Sequence, residues 1–192
     1  WKPLVGGVVG LVVLAVLLFT LFYLSPDDPA SMILAKPAIY LYPTEPTEVS
    51  VQLDLQGELT FAYPAYADGW RVTAEPDGTL TDAEGAHHRY LFWEGTAATD
   101  FDLREGYLIP REETVPRLRA ILRAYGLSEQ EINDCIVYWA PRMTAPYHLV
   151  SVQAERFTEL AALTIDPQPD TLIRVFLSIC PLEVPVAVTE PV

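Results

Sequence analysis

The chain has 192 residues, of which 51% are hydrophobic, and its 26 acidic residues outnumber 12 basic ones to give a formal net charge of −14. Nucleic-acid binding requires a basic surface, so this balance argues against a nucleic-acid partner. It also argues against a domain that lies flat on an anionic lipid leaflet, because such a surface repels acidic protein.

An uncharged apolar run of 21 residues, from Leu4 to Leu24, lies near the beginning of the chain. A helix that rises about 1.5 Å per residue needs about 20 apolar residues to cross a hydrocarbon core about 30 Å thick. A cleaved signal peptide is the alternative, but its apolar region is only about 7–15 residues long. Residues 25–29 (SPDDP) also make a poor cleavage context. We therefore expect residues 1–24 to form a single transmembrane anchor.

The charges on either side of this run predict its orientation. Lys2 precedes it, whereas the residues that follow it are acidic until Lys36. Basic residues favour the cytoplasmic side of a membrane. We therefore expect a cytoplasmic N-terminus and an exported C-terminal domain.

Three glycines lie in the first half of the run, Gly6 and Gly10 four residues apart and Gly7 beside them. Small residues at this spacing share a helix face and allow a second helix to approach closely. Glycine is also simply common in transmembrane helices, which is the alternative explanation. The pattern predicts a helix-packing face.

The remaining residues divide into a Pro/Asp linker (25–36), one domain (37–182) and a Pro-rich extended tail (183–192). With Lys2 set aside, 11 basic and 26 acidic residues remain, a net charge of −15. Such a domain attracts a cationic partner, with an association rate that falls as salt rises. The alternative is that the acidic surface only keeps the domain soluble.

The first half of the domain alternates between apolar and polar residues with a period of two, as β-strands do. The predicted strands cover residues 38–42, 48–55, 58–63, 69–74 and 89–94. They predict a mostly antiparallel sheet.

The second half changes to a helical period. Thr114 can cap a helix that Gly126 ends. Ser128 and Glu131 form a capping-box pattern for a second helix, from Glu129 to about Trp139. A short helix over 155–163 and strands over 147–152 and 171–179 complete the domain. The prediction is an α+β fold in which two to three helices pack on one side of a mostly antiparallel sheet.

Cys135 and Cys180 are the two cysteines of the chain. In an oxidising compartment they could pair, and a loop of this length would add about 4 kcal/mol by the chain-entropy estimate. Each could equally be a small buried apolar residue. A disulfide therefore stays open, and no zinc-binding cysteine spacing is present.

His87 and His88, followed by Glu94, come closest to a metal or acid–base group. Adjacent histidines on a strand point to opposite faces, so two exposed turn histidines are the simpler interpretation. No nucleophile motif or phosphate-binding glycine loop is present in the sequence. We therefore expect no catalytic residues, no metal and no cofactor.

Aromatic residues crowd the predicted sheet. Exposed tyrosine and tryptophan suit interfaces, because they bury a large area at modest entropic cost. We expect most of them in the core, and Tyr66, Trp70 and Trp93 as an exposed strip.

Arginines cluster between residues 104 and 123 of the otherwise acidic domain. Arg119 and Arg123 are four residues apart and share a helix face, near Arg117. They could meet an anionic partner surface, for which the planar guanidinium is well suited. Ion pairs with neighbouring acids on a solvated face are the alternative.

Five stretches of the domain together resemble an uncharacterised family of bacterial extracytoplasmic proteins. They are KPAIYLYP (36–43), PTEVSVQLDLQGELTFAYP (46–64), GWRVTAEPDGTLTD (69–82), YLFWEG (90–95) and IVYWAP (136–141). The resemblance covers most of residues 36–182 and implies an exported bacterial domain. It implies no activity and no ligand, and the apolar run and both cysteines lie outside it.

These observations favour a non-enzymatic single-pass protein of the bacterial cytoplasmic membrane, with its acidic domain periplasmic or extracellular. We expect an accessory or interaction subunit of a larger membrane assembly, such as an energy-transducing complex. Its partners would be other membrane subunits and a cationic soluble protein. Two alternatives stay open: an envelope module that binds glycan or peptide, and a hydrolase that uses Glu94 with His87 or His88.

Overall fold

The structure is a computed structural model that describes the backbone of residues 11–21, 32–98 and 103–191, with side chains described for 37–98 and 103–191. Within these residues the chain forms thirteen strands and three α-helices. The strands are β1 (Leu11–Leu21), β2 (Met32–Ile39), β3 (Tyr42–Pro43), β4 (Thr47–Leu55), β5 (Glu58–Tyr63), β6 (Trp70–Ala74), β7 (Leu80–Thr81), β8 (His87–His88), β9 (Leu91–Ala97), β10 (Tyr107–Pro110), β11 (Tyr147–Val152), β12 (Ala161–Asp166) and β13 (Thr171–Leu182). The helices are α1 (Thr114–Ala124), α2 (Glu129–Trp139) and α3 (Ala154–Leu160).

The strands form two sheets. Sheet A has eight strands in the spatial order β10, β11, β13, β1, β2, β9 and β5, with β3 also paired to β1, and sheet B has five in the order β12, β4, β6, β7 and β8. The strand pairs are antiparallel except for β1 with β13, which run parallel. The predicted α+β class and mostly antiparallel pairing are confirmed, but the single predicted sheet is corrected to two.

A large apolar core lies between the two sheets. Strands β4 and β6 each bury every second residue, so their polar residues form the outer face of sheet B. Helix α3 adds its buried side chains to this core. The core includes Val49, Val51, Trp70, Val72, Leu91, Trp93, Phe157, Leu160 and Phe176.

A second core lies between the opposite face of sheet A and helices α1 and α2. Strand β2 and the two residues after it supply both cores, because Ala38 and Tyr40 belong to the helix side whereas Ile39 and Leu41 belong to the sheet side. The domain is thus three layers deep, with α1 and α2, then sheet A, then sheet B. The predicted packing of the helices on one side of a sheet holds for α1 and α2, whereas α3 packs into the core between the sheets.

The beginning of α2 follows from the predicted capping box. The Ser128 hydroxyl accepts a hydrogen bond from the Glu131 amide over 3.3 Å, and the Glu131 carboxylate accepts one from the Ser128 amide over 2.7 Å. Gly126, with a φ of +89°, ends the segment that contains α1. Helix α3 is shorter than predicted, because Ala161–Asp166 pairs with β4 as strand β12.

The predicted transmembrane anchor lies partly outside the described residues, which omit 1–10 and 22–31. Its described part, Leu11–Leu21, is extended and pairs with β13 and β2 rather than forming a helix. An uncharged run rich in valine fits a central strand as well as a membrane helix, since both are apolar on all sides. Among the residues that the structure describes, no helix has the length and apolar character needed to cross a membrane.

The Pro-rich tail follows β13 and lies along the surface near α1. Its Thr189 carbonyl accepts a hydrogen bond from the Gly106 amide over 3.0 Å, close to the beginning of β10. The Glu190 carboxylate accepts a hydrogen bond from Arg117 over 2.6 Å. The tail is therefore attached at the β10 edge of sheet A.

Candidate interaction surface

Of the three aromatic residues that we predicted as an exposed strip, Trp70 and Trp93 lie in the interior and Tyr66 is half-buried against it. Trp70 and Trp93 are 2% and 1% exposed. The ring of Tyr66 packs edge-on against Trp70 with centroids 4.6 Å apart, and its hydroxyl accepts a hydrogen bond from the Leu53 amide over 3.0 Å. The prediction that Trp70 and Trp93 are exposed was wrong, because both face the core between the sheets.

The arginines of the predicted interaction surface form ion pairs with acidic residues of the same chain. Arg119 and Arg123 both pair with Glu129, and Arg117 pairs with Glu190. Hydrogen bonding from Arg123 is the main cause that lowers the pKa of the Glu129 carboxyl. These exposed ion pairs add little stability. The structure thus favours the solvated-face interpretation over a free cationic surface.

No disulfide joins Cys135 and Cys180 in the structure. Cys135 lies in the helix-side core, whereas Cys180 follows Ile179, which itself faces that core. Because successive strand residues point to opposite faces, Cys180 points away from α2. The disulfide that the sequence left open is therefore not formed.

The two histidines have separate structural partners. His88 is buried, and its Nε2 lies 2.7 Å from an oxygen of Asp82, which also accepts hydrogen bonds from the backbone of the same turn. The hydrogen bond with His88 is the main cause that lowers the pKa of the Asp82 carboxyl. His87 is exposed, with its Nδ1 3.1 Å from the Thr81 hydroxyl. The pair therefore stabilises the turn between β7 and β8.

Glu94 lies on β9, opposite Phe61 of β5. The histidines instead contact Thr81 and Asp82, and in the described part of the chain no three His, Cys, Asp or Glu side chains form a metal-binding group. The acid–base constellation that the sequence suggested is thus not assembled in these residues.

The exposed aromatic side chains lie instead on β5. Phe61 is 52% exposed and Tyr63 is 59% exposed. The Phe61 ring packs edge-on against Phe92 of β9, with centroids 5.8 Å apart. We call Phe61, Tyr63 and Phe92 the β5 patch.

A β-bulge puts these residues on the outer face. Leu59 pairs with Gly95 and Phe61 pairs with Glu94, so β5 has one extra residue, Thr60, at this point. The bulge leaves Leu59 and Ala62 against the core and turns the two aromatic residues outwards. A Cβ on Gly95 would lie 2.7 Å from the Glu58 carbonyl oxygen, so glycine is needed where the strands approach.

Sequence reasoning missed the β5 patch because simple alternation puts Leu59, Phe61 and Tyr63 on one face. The bulge that breaks this alternation depends on pairing with β9, which is distant in sequence. The outward orientation of Phe92 could have been predicted from the sequence. Phe92 precedes Trp93 on the same strand, and successive strand residues point to opposite faces.

Acidic groups surround the β5 patch. Glu58 is exposed at the beginning of β5, and Glu94 lies directly across from Phe61. The Tyr63 ring packs against His88 with centroids 5.2 Å apart, and the Asp82 carboxylate lies behind that imidazole. The patch is thus an apolar strip with negative flanks.

A second cluster connects α2 to sheet A around a cavity of about 230 Å³. Tyr40 donates a hydrogen bond to Asp134 over 3.0 Å, and Tyr42 donates one to Glu131 over 3.2 Å. Burial is the main cause that raises the pKa of both phenols, and the neighbouring carboxylates raise it further. Arg89 donates to the same Asp134 over 3.0 Å. These matched donors and acceptors indicate a structural role.

The predicted helix-packing glycines, Gly6, Gly7 and Gly10, lie outside the described residues. The resemblance to bacterial extracytoplasmic proteins stays a prediction as well. No protein-family model matches this chain, and neither a curated protein nor a solved structure matches it.

Proposed function

We propose that the protein is a non-enzymatic accessory subunit of a membrane assembly, anchored by residues 4–24, whose acidic domain contacts its partner through the β5 patch. The observation that carries this proposal is the exposure of Phe61 and Tyr63, each more than half exposed, on a strand at the edge of a sheet. Most other aromatic residues of the sheets are buried or half-buried.

Exposed aromatic side chains of this kind supply most of the binding energy in many interfaces. Each buries about 150–250 Å² when covered, and truncating one at the centre of an interface costs about 2 kcal/mol or more. Exposure of these rings to water contributes no comparable free energy to the stability of the domain. A partner that covers the patch is therefore the simplest reason for their position.

Membrane attachment rests on the length of the apolar run and requires residues 11–21 to leave sheet A. A helix satisfies its own backbone hydrogen bonds, which is the condition for crossing a bilayer. Strand β1 instead takes its hydrogen bonds from β13 and β2. The two arrangements exclude each other. Alkaline carbonate extraction of membranes that contain the full chain distinguishes them, since a spanning helix resists extraction and a strand in the sheet does not.

The main test is purification of the full chain from native membranes in mild detergent, followed by identification of what co-purifies. We expect wild type to retain membrane subunits and a Phe61→Ser/Tyr63→Ser variant to lose them. A Val115→Ser/Val184→Ser variant is the matched control, because these exposed apolar residues lie outside the patch. Recovery of wild type as a lone monomer would contradict the proposal.

An envelope module that binds glycan is the second candidate, since exposed aromatic rings also bind sugars. Sugar rings stack on flat aromatic faces. In the β5 patch, however, the Phe61 and Phe92 rings are inclined by 65°, and the Tyr63 and His88 rings by 77°. This geometry favours a protein partner. Retention of cell-wall polymer by the full chain, with loss in the Phe61→Ser/Tyr63→Ser variant, would favour the glycan.

A hydrolase that uses Glu94 is the third candidate. Glu94→Gln keeps the shape of the side chain and removes its charge. If this variant abolishes a hydrolytic phenotype while co-purification persists, the enzyme hypothesis gains over the accessory subunit.

A further inference from the structure

We infer that the partner binds by strand addition: an extended, basic segment of a membrane-assembly subunit pairs with the free edge of β5. This inference rests on the proposed function and specifies the chemistry of the same surface. Peptides that add to a sheet edge gain main-chain hydrogen bonds, while alternate side chains occupy the neighbouring face.

One edge of β5 is open. β5 ends the strand order of sheet A, and within the described residues β9 is its one strand partner. Residues 58–63 (ELTFAY) contain neither lysine, arginine nor proline. Those are the residues that usually protect an edge strand from pairing with another chain.

The other sheet edges are protected. β10 ends in Pro110, and the tail is hydrogen-bonded beside it through Thr189. β8 has only two residues. β12 presents Thr164 and Asp166 as its exposed side chains and is followed by Pro167. β5 also carries an exposed charge, Glu58, contains a bulge and is followed by Pro64, but its edge is six residues long and is the described edge that exposes aromatic side chains.

The side chains of β5 define what an added strand would meet. Phe61 and Tyr63 are two residues apart on the outer face, so alternate apolar side chains of an incoming strand would lie against them. Phe92 continues the same apolar surface on β9. A strand therefore gains both backbone pairing and aromatic contacts.

The negative charge around β5 indicates whether the added strand belongs to a second copy of this chain or to a different protein. The chain after Lys2 carries a net charge of −15, and Glu58 and Glu94 flank the patch. Two copies joined at β5 would bring two strongly acidic domains together, which their mutual repulsion disfavours. A segment rich in lysine or arginine, alternating with apolar residues, complements the same field. An anionic lipid surface is disfavoured for the reason that disfavours a second copy.

The test is photo-crosslinking of the full chain in native membranes, with p-benzoylphenylalanine in place of Phe61 or Tyr63, followed by mass spectrometry of the crosslinked residues. The matched control puts the same residue in place of Val115. We expect crosslinks from both β5 positions, and none from the control, to a basic extended segment of one membrane subunit. Crosslinks to lipid, glycan, a second copy or an acidic segment, or no crosslink at all, would overturn the inference.

Hydrogen exchange tests the strand pairing itself. Those amides of residues 58–63 that point away from β9 should exchange at least about tenfold more slowly in the purified complex than in the free chain. Glu58→Lys should lower the amount of co-purified partner about threefold, as loss of one exposed charge contact would, whereas Glu45→Lys, an exposed control, should not. Unchanged exchange at 58–63 would rule out strand addition.

Failure of this inference can be distinguished from failure of the proposed function. If membrane subunits co-purify but crosslink to positions outside β5, the accessory role stands and strand addition falls. If the chain purifies alone, both fall.

Discussion

The phenol of Tyr40 donates a hydrogen bond to the carboxylate of Asp134 over 3.0 Å, joining residues that are 94 positions apart in the chain. Tyr40 follows β2 and is 2% exposed, and Asp134 lies on α2. Arg89 donates to the same carboxylate. This contact fixes α2 on the outer face of sheet A.

Removing the Tyr40 hydroxyl tests this connection. Tyr40→Phe should lower the free energy of unfolding by about 1–2 kcal/mol, because a largely buried carboxylate loses a donor. Denaturant titration measures the change. Tyr63→Phe removes an exposed hydroxyl and should change stability by less than about 0.5 kcal/mol. Equal effects of the two substitutions would contradict the assigned role.

Tyr40 also predicts how the stability of the protein changes at alkaline pH. Burial and Asp134 raise the pKa of Tyr40 in the folded state above its unfolded value, which is about 10. Its contribution to stability is therefore fully present below about pH 10 and is lost as the pH rises further. Wild type should lose more stability than Tyr40→Phe between pH 9 and 11, as measured by denaturant titration at each pH.

Two glycines with left-handed φ angles form a matched pair. Gly78 (φ +87°) and Gly85 (φ +81°) would both be strained by alanine, at about 1–2 kcal/mol. A Cβ on Gly78 would also lie 2.6 Å from the Tyr42 ring, whereas none of the described atoms lies within 4 Å of one on Gly85. Gly78→Ala should therefore cost about 1–3 kcal/mol more than Gly85→Ala in thermal unfolding. Equal costs would show that the turn moves away from Tyr42 freely.

The α2 capping box predicts a local effect. Ser128→Ala should destabilise the protein by about 1 kcal/mol, because the Glu131 amide loses its acceptor. Thr144→Ala, at an exposed position outside the helices, is the control and should lie within about 0.5 kcal/mol of wild type. Far-ultraviolet circular dichroism during thermal unfolding measures both.

The buried His148 side chain should make the folded protein less stable in acid. It is 1% exposed, and burial is the main cause that lowers the pKa of its imidazole, with Arg111 adding to the effect. The unfolded chain binds a proton below about pH 6.5, and the folded chain binds it only at lower pH. Stability should therefore fall from pH 7 to pH 5, by at most about 1.4 kcal/mol per pH unit.

Replacing His148 should flatten that profile. His148→Leu removes the titrating group, so its stability should depend less on pH than that of wild type over the same range. His87→Leu, at an exposed position, should keep the wild-type profile. A pH profile that His148→Leu leaves unchanged would assign the acid sensitivity to other groups.

Features that depend on neighbouring residues could be predicted from the sequence. The capping box of α2, the glycine that ends the α1 segment and the alternating pattern of β4 each need only a few consecutive residues. The α+β class followed from those local periods. Helix α3 was predicted too long because strand β12 forms only by pairing with β4, which is more than a hundred residues away.

The candidate surface depended on contacts between distant strands. The pairing of β5 with β9 creates the bulge that exposes Phe61 and Tyr63, and the second sheet buries Trp70 and Trp93. Cys135 lies on α2 on one side of sheet A, whereas Cys180 of β13 points to the other side, and sequence spacing does not reveal this separation.

By itself, the sequence determined an acidic α+β domain that follows a long apolar run, because charge and hydrophobic period are properties of neighbouring residues. Only the tertiary structure decided which aromatic side chains meet solvent. Exposure depends on strand register and on the layer that covers each face, and both are set by residues far apart in the chain.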